Sequence, residues 1–153
     1  MDIKIESIST IPFNGFTALK RESQLEGFYF LERLEADWAS NKNVFNKDGE
    51  GLHMIKVNNQ IAGLGGINDN PNGAVAQRMG RLRRFFISKP FRRKGIGTAL
   101  LNHLIQEYGH HYDAIQLYTD NAEASFFYEK YGFQKVHHIE KATHLLRMMN
   151  NKP

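Results

Sequence analysis

The stretch from Leu82 to Thr119 constrains the fold more than any other part of the chain. Leu82-Arg83-Arg84-Phe85-Phe86-Ile87-Ser88 is rich in apolar and aromatic residues and is closed by Lys89-Pro90. The residue before a proline is held extended, so this run predicts a strand that stops there. Leu100, Leu101, Leu104, Ile105 and Tyr108 then recur at the spacing of one helix face, and Ala114-Ile115-Gln116-Leu117-Tyr118-Thr119 alternates as a second strand. Strand, helix and strand in that order form a crossover unit, with the two strands as parallel neighbours. The first strand is joined to the helix by Phe91-Arg92-Arg93-Lys94-Gly95-Ile96-Gly97-Thr98. Its two glycines let backbone N–H groups approach a ligand, and the helix start adds unpaired donors and a positive dipole end. A pyrophosphate fits such a cradle.

The rest of the chain flanks this unit. Ile3 to Ile8 predicts a first strand, Phe13 to Lys20 the start of a short helix, and 24 to 40 a second helix with Phe28, Leu31, Leu34 and Trp38 on one side. Asn41 to Gly51 reads as a loop. His53 to Val57 and Ile61 to Ile67, separated by Asn58-Asn59, predict a hairpin. A polar loop follows over 68–76. After the second parallel strand, Asp120 or Asn121 can cap a helix from Ala122, with Glu123 placed for a capping box, and Gly132 ends it. Gln134 to Glu140 and Thr143 to Met149 would be the last two strands. The expectation is one domain over 1–153, with 150–153 as a short tail.

The sequence holds 153 residues without a cysteine, which excludes thiol nucleophiles, disulfides and thiolate metal sites and suits a reducing compartment. The histidines, including His110-His111 and His137-His138, show no H-x-x-x-H spacing, so no metal is expected. No apolar stretch is long enough to cross a bilayer, and the start alternates charged with apolar residues. A cytoplasmic protein without a membrane partner is expected. The net charge is only +4, but its distribution is uneven. Eight basic and no acidic residues lie from Arg78 to Lys94, whereas five acidic residues (Glu22, Glu26, Glu32, Glu35, Asp37) face the single Arg33 from 22 to 37. The first region suits phosphates and the second a cation.

Arg92-x-x-Gly95-x-Gly97 resembles the acetyl-CoA pyrophosphate loop of the GNAT superfamily of N-acetyltransferases. Downstream, Asn121-x-x-Ala124-x-x-Phe127-Tyr128-Glu129-Lys130-Tyr131-Gly132-Phe133 resembles that family's N-x-x-A-x-x-F-Y-x-x-x-G-F segment. The resemblance covers about 50–149 well and the first 50 residues in outline. It implies an α/β fold, a GNAT-like mixed, mostly antiparallel sheet with a central splayed parallel strand pair, flanking helices and an acyl-CoA in the opening.

The resemblance also implies roles. Acetyl-CoA would be the co-substrate, its pyrophosphate held by Arg92, Arg93, Lys94, Gly95, Ile96, Gly97 and Thr98. The backbone of Phe86, Ile87 and Ser88 would pair with the pantetheine arm, the Ile87 N–H pointing at the thioester oxygen. Asn121 would contact the cofactor, and Tyr128 would protonate or hydrogen-bond the CoA sulfur; the other reading of Tyr128 is a packed core aromatic. The acceptor is a primary amine, small molecule or peptide, attacking directly in a ternary complex. Its wall would include Phe28, Tyr29 and Trp38, and Arg84 or Arg83 could reach a carboxylate or phosphate on it. Many relatives carry a glutamate base on the strand before the loop, where this chain has Arg81, Arg83 and Arg84. Glu50, His53, Asp69 and Asp120 are the substitutes. The rival reading is a non-catalytic module whose basic 78–94 segment binds CoA or nucleic acid, a nucleic-acid partner being the less expected. A homodimer through exposed aromatics or the final strand stays open.

Overall fold

The computed structural model describes residues 1–71 and 78–148. Asn58 and Asn59, at φ 49° and 68°, take the left-handed conformations of a tight hairpin turn and fold β2 (Gly51–Val57) onto β3 (Gln60–Asp69). The strand β1 (Ile3–Ser7) adds to β2, and β4 (Met79–Ile87) adds to β3, both antiparallel. Next to β4 lies β5 (Ala114–Leu117), the one parallel neighbour in the sheet among the described residues. β7 (His144–Arg147) and β6 (Gln134–Lys135) complete a seven-stranded sheet in the order β1-β2-β3-β4-β5-β7-β6. The expected mixed, mostly antiparallel sheet with a central parallel pair is what forms.

Among the described residues four α-helices cover the sheet: α1 (Phe16–Leu25), α2 (Phe30–Ala39), α3 (Ile96–Tyr108) and α4 (Ala122–Tyr131). Phe16 and Leu19 of α1 and Leu31 and Leu34 of α2 pack on Leu52, Leu64 and Phe86 of the sheet. On the other side, Leu100, Leu101 and Leu104 of α3 and Tyr128 of α4 bury against Ile55, Ile67, Leu82 and Ile115. The sheet is thereby sandwiched between two apolar layers, as an amphipathic helix on each face of a sheet requires.

Three expectations are corrected. The single helix over 24–40 is broken by a turn at Gly27, whose φ of +89° no right-handed helix accommodates, so 24–25 end α1 and α2 begins at Phe30. The strand over 134–140 stops at Lys135, because Val136 and Ile139 turn inward against Met79, Ala114 and Leu145 and Lys141, at φ 59°, reverses the chain. The cap of α4 is Asn121, whose Oδ1 accepts the Ala124 N–H at 2.9 Å. Glu123 therefore sits one position too early for a capping box with Asn121. Replacing Asn121 with Ala should cost about 1 kcal/mol of stability and lower Tm by roughly 2–4 °C in a thermal melt. Part of the 68–76 loop, Met149 and the 150–153 tail lie outside the described residues, while Asn68 and Asp69 belong to β3.

Candidate active site

Strands β4 and β5 pair only from Met79 to Arg81, opposite Ala114 to Gln116. Beyond Arg81 they part, and the β4 edge from Leu82 to Ile87 faces an opening. Ser88 donates its N–H to Ala62 O at 2.7 Å, and Ile87 lies opposite Gly63. Backbone groups alternate sides along a strand, so Ser88 is tied to β3 while the Ile87 N–H points into the opening. The Ile87 carbonyl accepts the Arg92 Nε–H at 2.8 Å. Of the three residues expected along a pantetheine arm, only Ile87 thus offers its backbone to the cleft; Phe86 is buried toward α1 and α2, and the Ser88 hydroxyl donates to Glu22 at 2.7 Å.

Above this edge the chain turns through Arg93 at φ 62° and Gly95 at φ 80° into α3. The first helical bond is Ala99 N–H to Gly95 O at 3.0 Å, so the N–H groups of Ile96, Gly97 and Thr98 have no helical acceptor. A Cβ on Gly97 would lie 3.3 Å from Phe127 Cζ and 3.5 Å from Ile87 Cγ1. Gly97 therefore places the cradle directly over the β4 edge and α4. Arg93 and Lys94 are exposed at its rim. Arg92 is engaged inward, donating to both Glu26 oxygens at 2.8 and 3.0 Å, with its guanidinium 5.4 Å from the centre of the Phe86 ring. Glu22 accepts the Lys89 N–H at 2.8 Å. Glu22 of α1 and Glu26 at its C-terminal end thus fasten the loop, and Arg92 is engaged in that clamp.

Tyr128, only 7% exposed, packs from α4 against the part of β4 that has left β5. Its ring packs edge-on against Phe85, Phe127 and Phe133, with centroids 6.1, 5.3 and 5.6 Å away. Its hydroxyl makes no hydrogen bond among the described residues. Burial pushes the phenol above its ordinary value, because the phenolate would be the poorly solvated form. Asn121 spends its Oδ1 on the cap, and its amide N–H groups have no partner among the described residues.

The opposite side of β4 holds a cluster that strict alternation would not produce. Leu64 pairs with Phe86 and Gly66 with Arg83, so Arg84 and Phe85 together face Gly65. This is a β-bulge, with Arg84 at φ 58°. It turns Arg83 and Arg84 to the same face, toward α2, and lays the Phe85 ring over Gly65, where a Cβ would stand 2.6 Å from it. Arg84 is buried and donates to Asp37 of α2 at 3.3 Å. Burial, and then the Arg83 charge, push the Arg84 guanidinium down to about 10; it stays charged at neutral pH. Arg83 is lowered by burial and by Arg81.

The other acceptor-side candidates are distributed differently. Phe28 and Trp38 are half-buried against the α1–α2 core, Phe28 with its ring 5.5 Å from Phe30, and Tyr29 is 54 % exposed. Of the substitute bases, Glu50 is occupied by the N–H groups of Lys47 and Asp69. His53 lies under α3, its Nε2 2.6 Å from the Tyr108 hydroxyl. The acidic run read as suiting a cation is consumed internally: Glu22 by Ser88 and Lys89, Glu26 by Arg92, Glu32 by Gln24, Glu35 by Lys20, and Asp37 by Arg84. A groove of about 650 Å³ between α1 and the β2–β3 hairpin meets this site only at Ser88 and Glu22.

The model of the acetyltransferase (GNAT) family matches residues 16–133. A candidate acetyltransferase of Exiguobacterium sp. 255-15 is 34% identical in its crystal structure, covering 96% of this chain and 94% of its own with a TM-score of 0.80. The chain belongs to the GNAT family. An uncharacterized N-acetyltransferase of Methanocaldococcus jannaschii is 26% identical over 112 residues, 71% of this chain, and this GNAT chain spans about half (49%) of that relative's length. The PaiA N-acetyltransferase of Thermoplasma acidophilum, solved in complex with coenzyme A, shares the GNAT fold at 18% identity, with a TM-score of 0.69 over 95% of this chain and 98% of its own. Among the described residues no helix is long and apolar enough to cross a membrane, and no group of three His, Asp or Glu side chains is placed to hold a metal ion.

Proposed function

We propose that this GNAT domain is an acetyl-CoA-dependent N-acetyltransferase that acylates a primary amine by direct attack in a ternary complex. The observation that carries the reading is the convergence on one opening of three different groups. These are the free Ile87 N–H, the unpaired N–H groups of Ile96, Gly97 and Thr98, and the Tyr128 hydroxyl. The cradle fits a pyrophosphate, because it combines oriented donors, a helix dipole and a side-chain-free approach at Gly97. Acetyl-CoA would supply the acyl group as an activated thioester. In that complex the Ile87 N–H stabilises negative charge on the carbonyl oxygen, and Tyr128 keeps its proton at neutral pH and donates toward sulfur. The Glu22 and Glu26 clamps hold the loop rigid while Arg93 and Lys94 stay free at the rim.

The nucleic-acid alternative loses its support in the dispersal of the basic segment. Arg81, Arg83 and Arg84 face α2, Arg92 is tied to Glu26, and Arg93 and Lys94 stand on the loop. They make no continuous stripe for a phosphate backbone.

Calorimetric titration of acetyl-CoA, followed by thiol release with a panel of amines, tests the proposal. Binding in the micromolar range and amine-dependent thiol release are expected. A folded protein that binds no acetyl-CoA would refute it.

A further inference from the structure

The bulge in β4 gathers more positive charge than the neighbouring elements neutralise. Arg81, Arg83 and Arg84 of β4 and Arg33 of α2 lie within electrostatic reach of one another, with Asp37 and Glu50 as the carboxylates that face them. Glu50 is already hydrogen-bonded by two backbone N–H groups. Asp37 meets one guanidinium nitrogen of Arg84. The Arg84 Nε is buried with no hydrogen-bond partner, in a residue only 8% exposed. Among the described residues the side chains of Arg33, Arg81 and Arg83 make no hydrogen bond or ion pair. Arg81 and Arg83 are half-buried.

A buried guanidinium with an unused N–H is costly unless a ligand completes it. The bulge holds Arg84 in a backbone conformation that disfavours a side chain. The cluster also stands just past the point where β4 leaves β5, on the face opposite Tyr128, so an acceptor held there would approach the free β4 edge from that face.

We infer that the acceptor amine carries an anionic group, a carboxylate or a phosphate, which the Arg83 and Arg84 guanidiniums bind while the amine points to the opening. The inference rests on the acetyltransferase reading and narrows its acceptor to small amines with an oxyanion a few bonds from nitrogen. Guanidiniums suit such groups because their planar N–H pairs match two oxygens at once. Diamines, which carry a second positive charge, would be repelled from the same place.

The test is a calorimetric titration of phosphoethanolamine, β-alanine, ethanolamine and putrescine into the protein saturated with CoA, with acetyl transfer to the same four compounds measured in parallel. Phosphoethanolamine or β-alanine should bind at least about 10-fold more tightly than ethanolamine, and the difference between those two separates phosphate from carboxylate. Arg83→Gln, at a side chain with no hydrogen bond or ion pair among the described residues, should reduce that preference by about fivefold or more, and Arg84→Gln at least as much. Equal or tighter binding of ethanolamine or putrescine would overturn the inference while acetyl transfer to them upheld the enzyme. So would a preference unchanged in both variants. Failure of wild type to bind acetyl-CoA in the control titration would remove both.

Discussion

Replacing Tyr128 with Phe should lower kcat for acetyl transfer by about 10²- to 10³-fold while leaving the Kd for acetyl-CoA within about threefold. The ring is the part of Tyr128 that packs, against Phe85, Phe127 and Phe133, and Phe preserves it. The hydroxyl is the part with no partner among the described residues, so its loss leaves no buried group unsatisfied. A structural Tyr128 would therefore tolerate the change. A Tyr128 that serves a departing thiolate would not, because an ordinary thiol has a pKa of about 8.5 and its anion needs a donor in a cleft that excludes water. Rapid mixing of enzyme, acetyl-CoA and amine, with thiol release as the signal, gives kcat; an unchanged kcat removes Tyr128 from the chemistry.

The pH profile follows from the same residue with a definite sign. Burial raises the phenol above its ordinary value of about 10, so the acid form persists through the whole neutral and mildly alkaline range. The acceptor must lose a proton to attack, and a free alkyl amine titrates near 10.4. Wild-type kcat/KM should rise with pH up to about 10 with no falling limb from Tyr128. Guanidiniums beside the bound amine would favour its neutral form, so kcat, which reports the bound complex, should rise at lower pH than kcat/KM. Because Tyr128 stays protonated over this range, Tyr128→Phe should keep the same rising slope at a lower plateau.

Much of this site was legible in the residues. Pro90 and the two glycines mark a strand end and a helix start whatever surrounds them, and the i, i+3, i+4 repeat of Leu100, Leu101 and Leu104 fixes which face of α3 is buried. The parallel pair followed from connection length alone. Local punctuation of that kind survives tertiary packing. What was not legible depends on long-range partners. No glycine or asparagine at position 84 announces a left-handed residue, so the bulge, and with it the shared face of Arg83 and Arg84, appears only when β3 supplies Gly65 for Phe85 to cover. The engagement of Arg92 by Glu26 joins residues 66 positions apart. The charge asymmetry between 22–37 and 78–94 was the available signal for it, and reading the acidic run as a cation site missed that the two runs face each other. The break at Gly27 was a plain signal, overridden by helical periodicity that continued across it.

Gly97→Glu should abolish measurable acetyl-CoA binding, a loss of about 100-fold or more in Kd by calorimetry. Two effects add. A carboxylate at the second residue of α3 places negative charge among the N–H donors proposed for the pyrophosphate, and even the Cβ meets Phe127 at 3.3 Å and Ile87 at 3.5 Å. The helix itself should persist, since an acidic residue in a first turn is favourable to the dipole; a thermal melt of the variant checks this. Gly97→Gln separates the two contributions, having the bulk without the charge, and should fall between wild type and Gly97→Glu. Equal losses in Gln and Glu would mean that space at the β4–α4 junction decides, and a Gly97→Glu protein that still binds acetyl-CoA in the micromolar range would move the phosphate seat away from α3 altogether. Gly95 gives the complementary control. A Cβ there meets nothing within 4 Å, but its φ of +80° is one that side chains rarely adopt. Gly95→Ala should therefore act through the backbone, costing about 1 kcal/mol of stability with a smaller effect on affinity than any side chain at Gly97.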